Sequence, residues 1–357
     1  MKIKKLTLSF VLLFTVGCLS TTNVQADCKS GNNAAKPAKT IAPDKSRLVK
    51  TEHSHFYIDA KAANQEIKQH PQTVVLETSY GKKTSYAKGH LPRAVQFDTL
   101  EIETEQNHWN ILSFKQCRDA FLKKGITKNT PVLVYSEDAL SSARVEFVGY
   151  WLGIKNIKIV DGGLNAWKNN KLPLQKGTLK PVAKSNFGRQ TPAHPEDLIR
   201  TANDFRQYRQ KHPKLVLAST RSWDEYVGNI SGYNYIKNTG EVNGAVYARV
   251  SKTSSDVYYL MNKDWTMKNP QRILQYWKSK GITPNKETVF YCGTGWRACP
   301  AFFLAKDNGW KQVHIFDGGW YDWDKSHQKH PQEFPVQKGN PSDKKHFKII
   351  KQPEATN

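Results

Sequence analysis

The chain has 357 residues, 38% of them apolar and 11% aromatic, with 5 cysteines and a formal net charge of +23. That length carries two ordinary domains; the composition excludes a disordered chain, and the cysteines are too few to staple a fold of this size. The basic excess is spread along the chain with no recognisable nucleic-acid module beside it. It therefore points to a solvated basic surface or to attraction of small anions rather than to nucleic acid.

The chain opens with Lys2, Lys4 and Lys5, an apolar run from Leu6 to Val16, and the small-residue spacing of a signal-peptidase site at Val24-Gln25-Ala26. Residues 1–26 read as a leader, the mature chain begins at Asp27 with a net charge of +20, and the product is expected in the periplasm or outside the cell. Thr15-Val16-Gly17-Cys18 offers a competing lipoprotein site, but Thr15 stands where such sites usually carry Leu. The apolar run is too short to span a bilayer comfortably, and no transmembrane segment is expected later. Residues 27–50 are rich in Lys, Ala, Asn and Pro and read as a tether.

An internal repeat follows. Gly125-Ile126-Thr127 returns as Gly281-Ile282-Thr283, Tyr135 as Tyr291, Gly153 as Gly309, Asp161-Gly162-Gly163 as Asp317-Gly318-Gly319, and Trp167 as Trp323, always 156 residues apart. The first copy, residues 51–182, predicts strands at Val74–Leu76, Val132–Val134 and Ile157–Val160, with a helix from Phe114 to Lys124 capped by Ser113 and Gln116. The second, residues 183–340, predicts strands at Leu215–Leu217, Thr288–Tyr291 and Val313–Phe316. Its helices run from Asn269-Pro270 to Gly281 and from Ala298 to Asn308, and residues 341–357 read as a tail. Alternating strand and helix predicts an α/β fold with a mostly parallel sheet in each copy, ligands lying at the carboxyl ends of strands.

Cys292 stands at such an end, in Tyr291-Cys292-Gly293-Thr294-Gly295-Trp296-Arg297. Gly293 and Gly295 allow a tight turn with N–H groups aimed inward, the next helix presents its positive end, and Arg297 adds fixed charge; a thiolate nucleophile is expected there. A buried thiol in a tight turn is the plainer reading. Among the other cysteines, Cys18 leaves with the leader, Cys28 lies in the tether, and Cys117 shares a helix face with Phe114 and Phe121 as a core residue. Cys299 falls about two helical turns beyond Cys292, which argues against a disulfide between them.

The segment Cys292 to Arg297 resembles the Cys-x-x-Gly-x-Arg loop of the rhodaneses, the thiosulfate sulfurtransferases. Gly89-His90-Leu91-Pro92-Arg93-Ala94 and the two Asp-Gly-Gly turns followed by Trp resemble other motifs of that family. Arg221 to Tyr226 and Ser231-Gly232-Tyr233 look like segments of exported multi-rhodanese bacterial sulfurtransferases. The resemblance implies two tandem rhodanese-like domains, each a mostly parallel sheet with helices on both faces, and a Cys292 persulfide. Sulfur would pass from a small anionic donor, thiosulfate, to a thiol or cyanide acceptor, with no cofactor or metal. Arg297 is expected to bind the donor's anionic end or offset the persulfide charge, with Gly293, Thr294 and Gly295 supplying hydrogen bonds. Trp296 is expected to line the pocket mouth or to pack between domains.

Cys292 corresponds to Ser136 in the first copy, whose loop carries Glu137 and Asp138; a hydroxyl offers no low-pKa anion and the carboxylates repel one, so this domain is expected to be silent. Three features depart from the family pattern. Ser219-Thr220-Arg221 lacks the aspartate that commonly ends the first strand, Glu225 stands near the place of a substrate-binding arginine, and Gly293 and Thr294 are neutral. Glu225 weakens the case for mercaptopyruvate, which stays as the alternative donor. The other readings are a phosphatase, disfavoured by a loop one residue short, a Cys292–Cys299 redox pair, and a non-catalytic scaffold.

Overall fold

The computed structural model describes residues 54–83 and 85–352. The leader, the tether, Cys18 and Cys28 lie outside the described residues. The first copy folds as β1 (Tyr57–Ile58), α1 (Ala60–Gln69), β2 (Val74–Ser79), β3 (Ala94–Asp98), α2 (Phe114–Lys123), β4 (Val132–Ser136), α3 (Ala139–Leu152), β5 (Ile157–Val160) and α4 (Gly163–Asn169). The second comprises β6 (Leu198–Ile199), α5 (Ala202–Lys211), β7 (Val216–Ser219), α6 (Trp223–Tyr226), β8 (Glu241–Val242), β9 (Val246–Tyr247), α7 (Gln271–Ser279), β10 (Thr288–Tyr291), α8 (Ala298–Asp307), β11 (Val313–Phe316) and α9 (Gly319–Lys329). β12 (Val336–Lys338) and β13 (Lys348–Ile350) close the described chain.

Each copy forms a five-stranded sheet, and the orders β1-β5-β4-β2-β3 and β6-β11-β10-β7-β9 are the same topology twice. All pairings within both sheets are parallel, as crossover helices require. Local chemistry sets the helix ends. Ser113 and Gln116 form the expected capping box on α2, Thr201 with Asp204 does the same for α5, and Gly153 ends α3 in the left-handed region.

The helices cover both faces of each sheet. α1 and α4 pack on the outer face of the first sheet, α5 and α9 on that of the second. α3 and α8 meet between the sheets, and both are apolar nearly all round, the pattern of a helix with no solvent face. Phe147 of α3 lies 5.2 Å from Phe302 of α8, centroid to centroid, and a single apolar cluster runs through both copies. Burial of this surface, at roughly 25 cal/mol per Å² of apolar area, makes the two copies one folding body.

The Asp-Gly-Gly turns lock the copies reciprocally. Asp161 accepts the Met267 N–H at 2.9 Å and Asp317 accepts the Ile111 N–H at 2.7 Å; Met267 and Ile111 are themselves 156 residues apart. One expectation changes at the carboxyl end. The stretch read as a tail carries β13, which pairs antiparallel with β12, which in turn pairs with β8 in a separate three-stranded sheet. Lys348-Ile349-Ile350, three residues without polar–apolar alternation, is too short to stand out as a strand until a partner edge is present.

Candidate active site

Cys292 leaves the carboxyl end of β10 and is 1% exposed. Its carbonyl and that of Gly293 are tied down by the first N–H groups of α9, from Trp320 at 2.8 Å and Tyr321 at 3.0 Å. This contact requires Gly319, whose φ is +52° and whose position has no room for a Cβ against the Cys292 carbonyl; Gly163 meets the Ser136 carbonyl in the same way. At Gly293 a Cβ would strike the Tyr233 ring, and the Gly293 N–H donates to the Tyr233 hydroxyl at 3.1 Å. The N–H groups of Thr294, Gly295, Trp296 and Arg297 have no acceptor among the described residues. They precede α8, whose dipole adds to their partial positive charge. The Cys299 thiol, pushed up by burial, donates to the Gly295 carbonyl at 3.3 Å and so braces the loop; Cys117, Cys292 and Cys299 are all free thiols.

Arg297 differs from its expected role. Its Nη1 and Nη2 donate to the two Glu225 oxygens at 2.8 Å each, and the remaining Nη protons reach the Thr253 carbonyl at 2.9 Å and the Tyr233 hydroxyl at 2.5 Å. Only its Nε–H, buried, is without a partner among the described residues. Burial works to raise the Glu225 carboxyl, but the Arg297 guanidinium, with Arg221 behind it, overrides this and brings it to about 2. Glu225 is thus the counter-ion of Arg297 at the floor of the site.

The aspartate missing from the end of β7 has a substitute. In the first copy Tyr135 donates to Glu77 on β2. In the second the strand position is Ser219, and Tyr291 donates instead to Glu241 of β8, which also accepts from the Ser219 hydroxyl at 2.7 Å and pairs with Arg221 at 3.5 Å. The carboxylate sits on β8 in place of β7, and the buried hydrogen bond is preserved.

Above Cys292 lies a cleft of about 340 Å³ built by both copies. The second supplies Tyr233, Tyr235, Ser254, Ser255, Thr294, Trp296 and Arg297; the first supplies Tyr80, Glu103, Trp109, Asp138, Leu140 and Ser141. A larger hollow, about 610 Å³, lies beside Trp151 and Arg200 and contains no nucleophile. Trp296 lines the cleft and crosses the domain boundary to donate its indole N–H to Glu103 at 2.6 Å. Burial raises the Glu103 carboxyl to about 7 against the pull of Arg144, whose guanidinium also holds Asp317 at 2.7 Å. Thr294 lies against the Tyr235 hydroxyl. Sequence reasoning brought the loop together but missed Tyr80, Glu103, Trp109, Tyr233, Tyr235 and the Glu225 partner of Arg297. Tyr233 left a trace in the Ser-Gly-Tyr segment and Glu225 only as a departure from the family pattern; Tyr80, Glu103 and Trp109 approach from the other copy, and Tyr235 and Glu225 reach the loop only through folding of the second.

Two parallel-sheet copies, with a buried thiol in a six-residue loop between strand and helix, define the class: the chain belongs to the rhodanese-like family, whose domain model matches residues 59–170 and 201–326. Thiosulfate sulfurtransferase YnjE of Escherichia coli K12 is 37% identical over 252 residues, 70% of this chain and 57% of that protein, so the chain spans little more than half of that relative's length. Human 3-mercaptopyruvate sulfurtransferase is 24% identical over 246 residues, 68% of this chain and 79% of that one. The crystal structure of YnjE superposes with a TM-score of 0.74 at 33% identity, covering 82% of this chain and 71% of that one. A structure of EanB bearing a cysteine persulfide, with ergothioneine, superposes with a TM-score of 0.74 at 28% identity, covering 80% of this chain and 71% of that one.

Proposed function

We propose that this protein is a sulfurtransferase that carries sulfane sulfur on Cys292 from thiosulfate to a thiophilic acceptor such as cyanide or a thiol, acting outside the cytoplasm after loss of residues 1–26. The observation that carries this reading is the loop itself: a nucleophile at the carboxyl end of a central strand, facing a cleft, with four consecutive N–H groups lacking acceptors among the described residues. The Cys292 thiolate attacks the outer sulfur of thiosulfate, and the S–S electron pair leaves with sulfite. The enzyme keeps a persulfide whose terminal charge is met by the loop N–H groups and the helix end. The acceptor's electron pair then bonds to that outer sulfur, and the Sγ–S pair returns to Cys292 as thiolate. No step calls for a cofactor or metal.

Similarity to YnjE, named a thiosulfate sulfurtransferase, supports the donor, and the persulfide-bearing EanB structure supports the intermediate. Mercaptopyruvate is the alternative donor; its carboxylate would find no unpaired guanidinium among the described residues lining the cleft. The test is intact-protein mass of the mature chain after thiosulfate, beside Cys292→Ser. The expected result is a gain of one sulfur, removed by cyanide and absent from the variant. A gain with mercaptopyruvate alone would reassign the donor, and no gain with either would sink the reading.

A further inference from the structure

Two successive residues of the Cys292 loop rest on charged groups buried between the copies. A Cβ at Gly295 would stand 2.7 Å from Arg144 Nη1 and 2.6 Å from Asp317 Oδ1, so the loop backbone passes directly against that ion pair. With φ at +80° as well, the position is held to glycine twice over. The next residue, Trp296, donates its indole N–H to Glu103. Arg144, from α3 of the first copy, joins the two supports: its Nε donates to Glu103 Oε2 at 2.8 Å and its Nη1 to Asp317 Oδ1 at 2.7 Å. Its Nη2 reaches the Trp109 carbonyl at 3.3 Å.

Stability alone does not account for this network. Arg144 and Asp317 are 0% exposed and Glu103 1%, and three charges taken that far from water cost desolvation that an apolar set of similar volume avoids. Repetition does not account for it either. The contacts from Asp161 to Met267 and from Asp317 to Ile111 tie the copies together in both directions, but Arg144 corresponds, 156 residues on, to Pro300, which carries no charge. The guanidinium is present where it faces the loop that holds the thiol. Gly295 and Trp296 also supply two of the four N–H groups without an acceptor among the described residues, so the turn they make sets where those groups point. A planar fork that bridges two carboxylates fixes such a turn in more than one direction.

We propose that Arg144 is a positioning residue of the Cys292 loop: through Glu103 and Asp317 it fixes the Gly295–Trp296 turn, so that the loop N–H groups converge on the sulfur being transferred. The convergence on sulfur rests on the sulfurtransferase reading; the fixing of the turn does not. The copy without a thiol thereby supplies part of the reactive geometry without touching the reacting atoms.

The test is the triple variant Glu103→Gln/Arg144→Met/Asp317→Asn of the mature chain. It removes the three charges together and strands none, and it keeps an acceptor oxygen for the Trp296 indole and for the Ile111 N–H. Its urea midpoint is expected to match that of the wild type or exceed it. Two quantities are then measured. Hydrogen exchange, read by peptide mass, reports on the Ala298 and Cys299 N–H groups, which donate to the Gly295 and Trp296 carbonyls at 3.2 Å each. Intact mass against time gives the rate of thiosulfate loading.

Exchange at those two N–H groups is expected to be at least about tenfold faster, with β10 and the rest of α8 unchanged. Loading is expected to be roughly ten- to a hundredfold slower, the scale on which a displacement of about 1 Å is felt at a reacting centre. Wild-type exchange would overturn the proposal, because the turn would then be fixed without Arg144. Exchange accelerated throughout both copies would also overturn it and mark the network as merely structural, as would faster local exchange with loading at the wild-type rate. Should the triple variant not fold, Arg144→Lys, which keeps the charge and loses the fork, decides by the same two measurements and the same outcomes. A wild type that takes no sulfur removes the sulfurtransferase reading, and exchange then judges the fixing of the turn by itself.

Discussion

Ser136 and Cys292 leave equivalent strands toward equivalent helices, yet their loops end differently. After Ser136 the helix begins within three residues, because Asp138 caps it: Oδ1 accepts the Leu140 and Ser141 N–H groups at 2.8 and 2.7 Å, and Oδ2 takes the Ser141 hydroxyl. The Ser136 hydroxyl turns to Ser142 at 3.0 Å. After Cys292 the helix begins only at Ala298, and four N–H groups have no partner among the described residues. The first loop holds its own anion; the second leaves room for one from outside. The silence expected of the first copy would thus come from an occupied helix end as well as from a missing thiol.

That contrast yields predictions of decreasing size. Cys292→Ser should lower sulfur loading by at least about a thousandfold with the fold intact, the scale on which nucleophile loss is felt, as read by mass and by thiocyanate release. Glu225→Gln removes the counter-ion of Arg297 and should cost about 3–5 kcal/mol in urea unfolding, because it strands a buried guanidinium that the open loop needs and the closed loop does not. Asp317→Ala should destabilise by about 2–3 kcal/mol in the same urea titration, because it loses the Ile111 N–H contact to the other copy and takes one carboxylate from buried Arg144.

The smallest effect concerns pH. The Glu103 carboxyl rises from 4.5 to about 7 on folding, with burial the main cause, so the folded state holds its proton more tightly than the unfolded chain. Its contribution to stability is complete below about pH 4.5 and is lost as pH rises to about 7. Subtracting the urea midpoints of Glu103→Gln from those of the wild type should expose a decline confined to that window. A flat difference would contradict the buried environment assigned to it.

Much of this was readable from local order. The 156-residue register predicts two copies, and the strand, glycine and arginine spacing around Cys292 predicts the loop, because each is written within a few neighbouring residues. The Ser113–Gln116 cap is equally local. What escaped depends on distant packing. Trp296 and Glu103 are 193 residues apart, and nothing in periodicity says that α3 and α8 will bring them together. Nor does the sequence say which carboxylate reaches Tyr291, so the absence of an aspartate beside Ser219 reads as a loss until Glu241 is seen in its place. Arg297 reads as a free cation for the same reason: Glu225 lies 72 residues away, and only the fold makes them a pair.

The central claim is that an open helix end, and not the thiol alone, makes one copy reactive. It is tested most directly by exchanging the two side chains in one protein, Ser136→Cys with Cys292→Ser, and measuring intact mass after thiosulfate, with thermal unfolding as a check that both copies are folded. The account predicts no gain of sulfur, because Asp138 already occupies the N–H groups of the first loop. A cyanide-removable gain of one sulfur at position 136 would contradict it.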